Sequence, residues 1–202
     1  MKNRNILLTL VITCLVLILI AWGFFIFNYI EFRKNDAFYG TLLNFEPFDF
    51  TLEDHNGNEV SLYDYKDKFI LLTFGYTNCP DICPTTLAKL DKIADKLDDD
   101  NEVQVLFITI DPTRDTAEKL KNYVPYFNEN FIGLTGDELD IHKAVRSFHA
   151  FYAKEEGESS DVYIMNHTTS VFLIDQNGKK ILKYSQGRLE PEGIISDLKK
   201  LL

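Results

Sequence analysis

The sequence predicts an α/β domain with a central mixed sheet flanked by helices, preceded by one N-terminal transmembrane helix. Two continuously apolar, β-prone runs, at residues 69–74 and 103–110, are typical of strands that are buried on both faces. Between them, apolar residues recur at helical spacing, which indicates a strand–helix–strand unit. The amino-terminal region differs from this pattern, because no charged residue lies between Arg4 and Glu31.

The charge-free run at residues 5–30 is long enough to be a membrane anchor. As a helix it would extend roughly 39 Å, which exceeds the hydrocarbon thickness of a bilayer. Lys2 and Arg4 precede the run and favour a cytoplasmic N-terminus, so we expect a single-pass protein of the cell membrane with its soluble domain on the extracytoplasmic side. A cleaved signal peptide and a lipid-modified Cys14 are the alternatives for this segment.

The remainder of the chain is acidic and has the size of one domain. We interpret residues 31–46 as a tether, because Asn, Gly and Pro within residues 35–47 favour irregular structure, and residues 47–202 as the folded domain. The formal net charge of −10 becomes −12 when Lys2 and Arg4 are left out. Such a charge repels phosphate backbones, so we expect no nucleic-acid partner.

Turn residues and apolar periodicity predict the first elements of the domain. The dipeptide Asn56-Gly57 lies between two β-prone segments, 48–52 and 59–62, and predicts a β-hairpin. After the strand at residues 69–74, a helix begins near Pro84, which a first helical turn tolerates. The apolar face of this helix consists of Leu87, Leu90, Ile93, Ala94 and Leu97.

Two helices are predicted after the strand at residues 103–110. Asp115 with Glu118 indicates the start of the first helix, and Thr135 with Glu138 forms a capping-box pattern for the second. The apolar face of the first helix consists of Leu120, Tyr123, Val124 and Phe127. The apolar face of the second consists of Leu139, His142, Val145 and Phe148.

The chain ends with a predicted hairpin and a predicted helix. Residues 170–174 and 180–184 are β-prone and flank a turn at residues 175–178. The final helix presents an apolar face made of Ile194, Ile195, Leu198 and Leu201. The order of strands and helices is that of an α/β domain with a mixed sheet.

Cys79 and Cys83 are the two thiols of the predicted domain, and they follow the carboxyl end of the strand at residues 69–74. Ligands bind in this region of open α/β sheets, and the N-terminus of a helix stabilises a thiolate. A structural disulfide would contribute little here, because closing so short a loop removes little chain entropy. Disulfide exchange, peroxide reduction and metal binding are the other roles for the pair.

Three segments match the motifs of one known family. Residues 75–84, GYTNCPDICP, contain a Cys-x-x-x-Cys motif, and residues 110–116, IDPTRDT, contain Asp-Pro-x-Arg-Asp. Residues 163–168, YIMNHT, lie where the family has Tyr-x-x-Asp-His-Ser, with Asn166 in place of Asp and Thr168 in place of Ser. From about residue 45 to residue 202 the chain therefore resembles the Sco/SenC family. Its members are membrane-anchored, thioredoxin-like copper-binding proteins that serve assembly of the CuA centre of cytochrome c oxidase.

The resemblance implies a thioredoxin-like domain in which Cys79, Cys83 and His167 are the copper ligands. Two thiolates and one imidazole form a soft, nitrogen-containing set that suits both Cu(I) and Cu(II). A structural zinc site would normally need a fourth protein ligand, and the spacing of the other histidines does not point to one.

The implied function is that of a copper metallochaperone rather than an enzyme. Such a protein delivers copper to the CuA site, or prepares the cysteines of that site, during cytochrome c oxidase assembly. The expected partners are the CuA-bearing subunit of the oxidase and an external thiol reductant that keeps Cys79 and Cys83 reduced.

A membrane-anchored thiol–disulfide oxidoreductase acting on one specific client disulfide is the alternative, with Cys79 and Cys83 as its redox-active pair. General disulfide exchange is disfavoured, because the two cysteines are one residue further apart than in Cys-x-x-Cys and no proline directly precedes the strand at residue 170. A thiol peroxidase is disfavoured because Tyr76 and Pro80, three residues before the cysteines, occupy the place of its threonine.

Charged residues near these motifs have structural interpretations. We expect Asp81 to cap the helix after the cysteines, and Asp111 with Arg114 to close a strand-end turn as an ion pair. A role for that ion pair beside the metal is the alternative. Residues 153–162 are rich in acidic side chains and are expected to form a mobile loop near His167.

The other three histidines are expected to be structural. His142 lies on an apolar helical face and is predicted to be a core residue. His149 is placed at the end of the same helix, and His55 in a turn.

Overall fold

The amino-terminal unit of the protein is a single helix. In the computed structural model the described residues are 2–36, 38–43, 49–97, 103–159, 162–178 and 181–201, and the chain divides into two units, Met1–Phe38 and Tyr39–Leu202. Helix α1 spans Lys2–Asp36. It includes the segment Leu10–Ile30, whose 21 residues have a mean hydropathy of 2.9 and are long enough to cross a membrane. The helix continues beyond residue 30, so the first part of the predicted tether is helical.

The second unit is built around a mixed sheet of eight strands within the described residues, in the order β1-β10-β9-β4-β5-β6-β2-β3. Strand β5 runs parallel to both of its neighbours, β4 and β6, and the other pairs are antiparallel. The strands are β1 Thr41–Leu43, β2 Thr51–Asp54, β3 Glu59–Ser61, β4 Phe69–Gly75, β5 Val103–Thr109, β6 Ile132–Thr135, β9 Val171–Ile174 and β10 Ile181–Tyr184. The predicted mixed sheet is therefore present.

The two continuously apolar runs form the centre of this sheet, as predicted. All seven residues of β4 are buried, and β5 is buried at every position except its first. A strand with neighbours on both edges and side chains packed on both faces must be apolar throughout, which explains the unbroken Phe69–Phe74 run. The carboxyl ends of β4 and β5 are tied together because the Ile110 N–H donates to the Gly75 carbonyl at 2.9 Å.

Four α-helices of the described residues flank the sheet. They are α2 Ile82–Ala94, α3 Ala117–Tyr123, α4 Glu138–Ser147 and α5 Pro191–Leu201. Helices α2 and α5 pack side by side, with ion pairs between Lys89 and Glu190 at 3.3 Å and between Lys96 and Glu192 at 2.7 Å. In α5 the predicted apolar residues Ile194 and Leu198 are fully buried.

The predicted starts of α3 and α4 were wrong by one or two residues. Asp115 and Thr135, the predicted starting residues, bond to residues outside their helices instead of capping them. The cap of α3 is Thr116, which accepts from the Lys119 N–H, and Asp115 is buried instead. The cap of α4 is Asp137. Thr135 ends β6, and its hydroxyl donates to the Asp115 carbonyl at 3.0 Å.

Helix α4 is rotated relative to the prediction. Its buried residues include Ile141, Ala144 and Val145, whereas the side chain of Leu139 is 63% exposed and His142 is also exposed. The stripe from Ile141 through Val145 to Phe148 has the full i, i+3, i+4, i+7 spacing, so it outcompetes the stripe that begins at Leu139. The prediction that His142 is a core residue is therefore wrong.

Part of the predicted tether is an edge strand. Strand β1 pairs with β10, with Thr41 opposite Lys183. The fully buried Asp197 of α5 holds its start, because it accepts the Tyr39 N–H at 2.8 Å, the Gly40 N–H at 2.7 Å and the Tyr184 hydroxyl at 3.0 Å. The expectation of irregular structure was wrong here, since a buried carboxylate far along the chain supplies the partners.

A separate two-stranded sheet follows α4. Strand β7, Tyr152–Ser159, is antiparallel to β8, Val162–His167. Residues 153–159 and 162 are therefore strand, and the predicted mobile loop is wrong for them. Residues 44–48, 160–161 and 179–180, which several predicted segments include, lie outside the described residues.

Candidate metal centre

Cys79 lies on the connection from β4 to α2, at the carboxyl edge of the sheet, and Cys83 lies in the first turn of α2. Cys79 is half-buried and Cys83 is 3% exposed, and both are free thiols. Asp81 takes the cap position of α2, as predicted, although its side chain makes no capping hydrogen bond. Gly75 leaves space for Cys83, because a Cβ at residue 75 would lie 2.8 Å from the Cys83 Sγ.

The two thiols are electrostatically different. A hydrogen bond from Cys83, supported by the backbone N–H groups of Cys83, Asp81 and Ile82, lowers the pKa of Cys79 to about 5. The same contact with Cys79, together with burial, raises the pKa of Cys83. Cys79 is thus the thiolate at neutral pH and Cys83 the proton donor. The predicted effect of the helix N-terminus applies to Cys79 only.

His167, at the end of β8, reaches this pair. Its Nε2 lies 3.8 Å from the Cys83 Sγ, and its Nδ1 lies 3.0 Å from the Thr168 carbonyl oxygen. A carbonyl can only accept, so Nδ1 carries the proton and Nε2 presents its lone pair to the sulfur. The buried Tyr76 ring packs edge-on against the imidazole, with centroids 6.1 Å apart. Cys83 therefore contacts both Cys79 and His167, the other two residues of the predicted site.

The residues present fit a soft metal ion. A sulfur and a nitrogen bound to one metal ion at about 2.3 Å and 2.0 Å lie roughly 3.5–4 Å apart, and the Cys83–His167 separation matches that span. Across the described part of the chain, no group of three or more His, Cys, Asp or Glu side chains is already close enough to hold a metal ion. Binding through all three groups therefore requires a rearrangement of their side chains.

A buried carboxylate fixes the backbone before Cys79. Asp115 is fully buried and accepts hydrogen bonds from the Thr77 N–H at 2.8 Å, the Thr77 hydroxyl at 2.5 Å and the Thr109 hydroxyl at 2.8 Å. Lys119 adds an ion pair to Asp115 at 3.2 Å and a hydrogen bond to Asn78 at 2.8 Å. The Asp-Pro-x-Arg-Asp motif was the signal for this residue, but the pattern with Glu118 led to a capping role.

Asp111 and Arg114 form the predicted ion pair, and they also contact the strand that carries His167. The guanidinium donates to the Tyr163 carbonyl at 3.1 Å, and its central carbon lies 3.5 Å from the centre of the Tyr163 ring. The Tyr163 hydroxyl donates to Asp111 at 2.7 Å. Through Tyr163 the ion pair contacts the strand that carries His167, which is compatible with the predicted alternative of a role beside the metal site.

The remaining histidines make other contacts. His55 is 8% exposed and accepts the Gly133 N–H at 3.0 Å, which makes it structural, as predicted. His149 follows the end of α4 with a φ of 50°. His142 packs edge-on against the Tyr152 ring, with centroids 6.1 Å apart.

Comparisons with known proteins agree on one family. The SCO1/SenC family profile matches residues 44–202. A SCO2-like protein of Rickettsia felis is 41% identical over 153 residues, which are 75% of this chain and 74% of the relative. The chain spans 48–74% of the length of eight curated relatives.

Solved structures agree with this result. The structure of Bradyrhizobium japonicum ScoI with copper bound has a TM-score of 0.71 at 34% identity, covering 78% of this chain and 100% of that one. BsSco has a TM-score of 0.62 at 29% identity, covering 80% of this chain and 96% of that one. BsSco is described as a member of the Sco family of cytochrome c oxidase assembly proteins and as having a disulfide switch. These neighbours confirm the predicted thioredoxin-like fold. The chain therefore belongs to the SCO1/SenC family.

Proposed function

We propose that this protein binds copper through Cys79, Cys83 and His167 and acts in the assembly of the CuA site of cytochrome c oxidase. It either delivers copper to that site or prepares the cysteines of the site for copper. The observation that carries the proposal is the approach of the His167 Nε2 lone pair to the Cys83 Sγ at 3.8 Å, beside the Cys79 thiolate. The copper bound to the related ScoI supports the same choice of metal.

The thiols must be reduced before copper binds. A disulfide between Cys79 and Cys83 is broken when an external dithiol supplies two electrons and two protons, and the dithiol leaves as its own disulfide. Cys79, the half-buried thiolate, is then the first donor available to incoming copper, and Cys83 must lose its proton to become the second. His167 adds a nitrogen donor, which Cu(II) favours more than Cu(I) does.

The cell membrane is the proposed location, with the segment Leu10–Ile30 as a single-pass anchor. Lys2 and Arg4 favour a cytoplasmic N-terminus, which places the copper domain on the extracytoplasmic side. Thiols outside the cytoplasm oxidise, so an external thiol reductant is a required partner there. The second proposed partner is the CuA-bearing subunit of the oxidase, which lies in the same membrane.

A copper titration of the full-length reduced protein in detergent tests the proposal. We expect one equivalent of Cu(II), with a thiolate-to-copper charge-transfer band that Cys79→Ser and Cys83→Ser abolish. His167→Ala should lower the affinity for Cu(II) by at least roughly 10- to 100-fold, which is what the loss of a contact that supports a metal ligand costs. The affinity for Cu(I) should fall by less.

The matched control for the titration is Cys14→Ala, because Cys14 belongs to α1 and should leave the stoichiometry unchanged. Two results together contradict the proposal. In the first, Cu(II) oxidises the two thiols to a disulfide, is reduced to Cu(I) in doing so, and stays unbound. In the second, Cu(I) also binds weakly to the reduced protein.

The thiol asymmetry favours a second candidate, a thiol–disulfide oxidoreductase acting on one client. A half-buried low-pKa thiolate next to a buried protonated thiol is the arrangement of an attacking and a resolving cysteine. The test is catalytic reduction of an oxidised CuA-domain disulfide by the metal-free protein, with oxidised insulin as the control substrate. Turnover on the CuA domain in an anaerobic, copper-free assay supports this candidate, and its absence rejects it.

A further inference from the structure

The hairpin that carries His167 makes no strand pairing with the central sheet in the described residues. Strands β7 and β8 form their own two-stranded sheet, whereas both cysteines follow a strand of the eight-stranded sheet. An isolated hairpin is marginally stable in water. The distance from His167 to the cysteines therefore depends on side-chain contacts between the hairpin and the body of the domain.

Strand β8 alternates strictly between an exposed face and a covered face. Ile164 and Asn166 are exposed, whereas Met165 is buried and Tyr163 and His167 are partly buried. Residues two and four apart in a strand share a face. Tyr163 therefore lies on the same face as His167, and a force that fixes Tyr163 also fixes the orientation of the imidazole.

Tyr163 has three contacts with the loop that follows β5. Its hydroxyl donates to the Asp111 carboxylate at 2.7 Å, its ring lies 3.5 Å below the Arg114 guanidinium, and its carbonyl accepts from Arg114 at 3.1 Å. Lys154 of β7 lies 4.0 Å from the same ring centre. Hydrogen bonds to charged groups and a close cation–ring contact are among the stronger polar interactions in proteins.

Burial and hydrogen bonds hold the loop residues that Tyr163 contacts. Asp111 is 4% exposed, and its N–H donates to the Thr109 hydroxyl at 3.0 Å. The neighbouring Ile110 is bonded to Gly75, the last residue of the strand that precedes the cysteines. Tyr163 is thus connected to the cysteine side of the site through two residues at the end of β5.

Other packing beneath the hairpin is incomplete. A cavity of about 640 Å³ lies between the hairpin, α4 and the loop after β5, and Glu138, His142, Tyr152 and Lys154 are among its lining residues. Helix α4 therefore supports this part of the hairpin only at its margin. The contacts of Tyr163 therefore share the attachment of β8 with Tyr76, which hydrogen-bonds to the Met165 backbone and packs against His167.

We propose that Tyr163, held by Asp111 and Arg114, is the positioning residue that sets the location of the His167 imidazole relative to Cys79 and Cys83. The proposal rests on the proposed copper-binding function and extends it to the choice of oxidation state. Cu(II) depends on the imidazole more than Cu(I) does. Loosening Tyr163 therefore weakens the site for Cu(II) and leaves Cu(I) on the two thiolates.

The first test uses the full-length metal-free protein, so it does not depend on copper. In Tyr163→Phe, which keeps the ring and removes one hydroxyl, amide hydrogen exchange at residues 162–167 should accelerate about ten-fold or more. Exchange in β4 should accelerate by no more than the same factor, because β4 opens only with global unfolding, which breaks the same hydrogen bond. The matched control is Ile164→Thr, a β-branched replacement on the exposed face of the same strand, which should leave both regions within about two-fold.

The second test compares the two oxidation states of copper. Tyr163→Phe should lower Cu(II) affinity about ten-fold and alter the Cu(II) electron paramagnetic resonance signal, while Cu(I) affinity changes by less than about three-fold. The double variant Tyr163→Phe/Asp111→Ala should bind Cu(II) no more weakly than Asp111→Ala alone, since the alanine already removes the acceptor of the Tyr163 hydroxyl.

The outcomes separate this proposal from the proposed function. If the unmodified protein binds no copper, the proposed function fails, and exchange at residues 162–167 alone then decides whether Tyr163 holds the strand. Unchanged exchange in Tyr163→Phe overturns the positioning role. Faster exchange with an unchanged Cu(II)-to-Cu(I) affinity ratio also overturns it, because the imidazole would then be placed by other contacts.

Discussion

Replacing Gly75 with alanine should damage both the stability and the metal centre, because this glycine lies between the sheet and Cys83. A Cβ at residue 75 would be 2.6 Å from the Phe107 Cε2 and 2.8 Å from the Cys83 Sγ. Ordinary contacts between such atoms are about 3.5–4.0 Å, so the ring and the sulfur must each retreat by roughly 1 Å. The Gly75 carbonyl also accepts from Ile110, which prevents the strand from yielding freely.

The expected magnitude follows from these contacts. Inserting a methyl group into a close-packed core costs about 1–3 kcal/mol in free energy of unfolding. Replacing a glycine recovers about 0.4–1 kcal/mol by restricting the unfolded chain. The net loss should be about 1–2 kcal/mol. Displacement of the Cys83 sulfur by roughly 1 Å should also disturb its spacing from His167, which is 3.8 Å in the native protein.

Urea unfolding followed by circular dichroism measures the first effect, and a copper titration of the same sample measures the second. Gly187→Ala is the matched control, because a Cβ there meets nothing within 4 Å. That variant should be as stable as the native protein or slightly more stable. A Gly75→Ala protein with native stability and an unchanged Cu(II) spectrum would refute the argument that this glycine makes room for Cys83.

Two further variants probe buried polar groups. Burial lowers the pKa of His55 below its ordinary 6.5, and the hydrogen bond from the Gly133 N–H requires the neutral imidazole, so the free energy of unfolding should fall as the pH drops from about 6.5 toward the folded-state pKa. Urea unfolding midpoints measured between pH 7.5 and 5 should depend less on pH in His55→Gln than in the native protein. An equally steep dependence would contradict this role of His55. Asp115→Asn should lower the free energy of unfolding by about 1.5–3 kcal/mol, because the amide cannot accept all the hydrogen bonds from Thr77 and Thr109. The alkylation rate of Cys79 should also change, because the loop before it loosens. The control for the second variant is Glu118→Gln at an exposed position, whose free energy of unfolding should stay within about 0.5 kcal/mol of the native value. Equal effects of the two substitutions would contradict the structural role of Asp115.

The sequence was sufficient for the parts of the fold with strong periodicity. Strands β4 and β5 and helix α2 follow from long apolar patterns that have one interpretation. Strand β6 was missed because Ile132–Thr135 has four residues, one of them glycine, and is too short to show a period. Strand β7 was missed because its three glutamates suggested a solvated loop, and its short partner β8 was missed with it.

The proposed metal centre also has a part that the sequence predicts and a part that it does not. Cys79, Cys83 and His167 were predicted because they lie in motifs of a recognisable family. The side chains that hold them were not, since their partners are distant in the sequence: Thr77 and Asp115 are 38 residues apart, and Asp111 and Tyr163 are 52 apart. A local pattern such as Asp115 with Glu118 then offers a simpler role, and only the folded structure shows which partner prevails.

The buried Asp197 has a consequence for how the domain is made on the ribosome. Its partners Tyr39 and Gly40 are synthesised 158 and 157 residues earlier. At about 5–20 residues per second, the segment that becomes β1 waits roughly 8–30 s before the carboxylate that receives its amides exists. Strand β10, its pairing partner, emerges only shortly before. The first edge of the sheet is therefore the last to close, and nascent chains arrested before residue 197 should expose residues 39–43 to proteases while β4 and β5 are already protected.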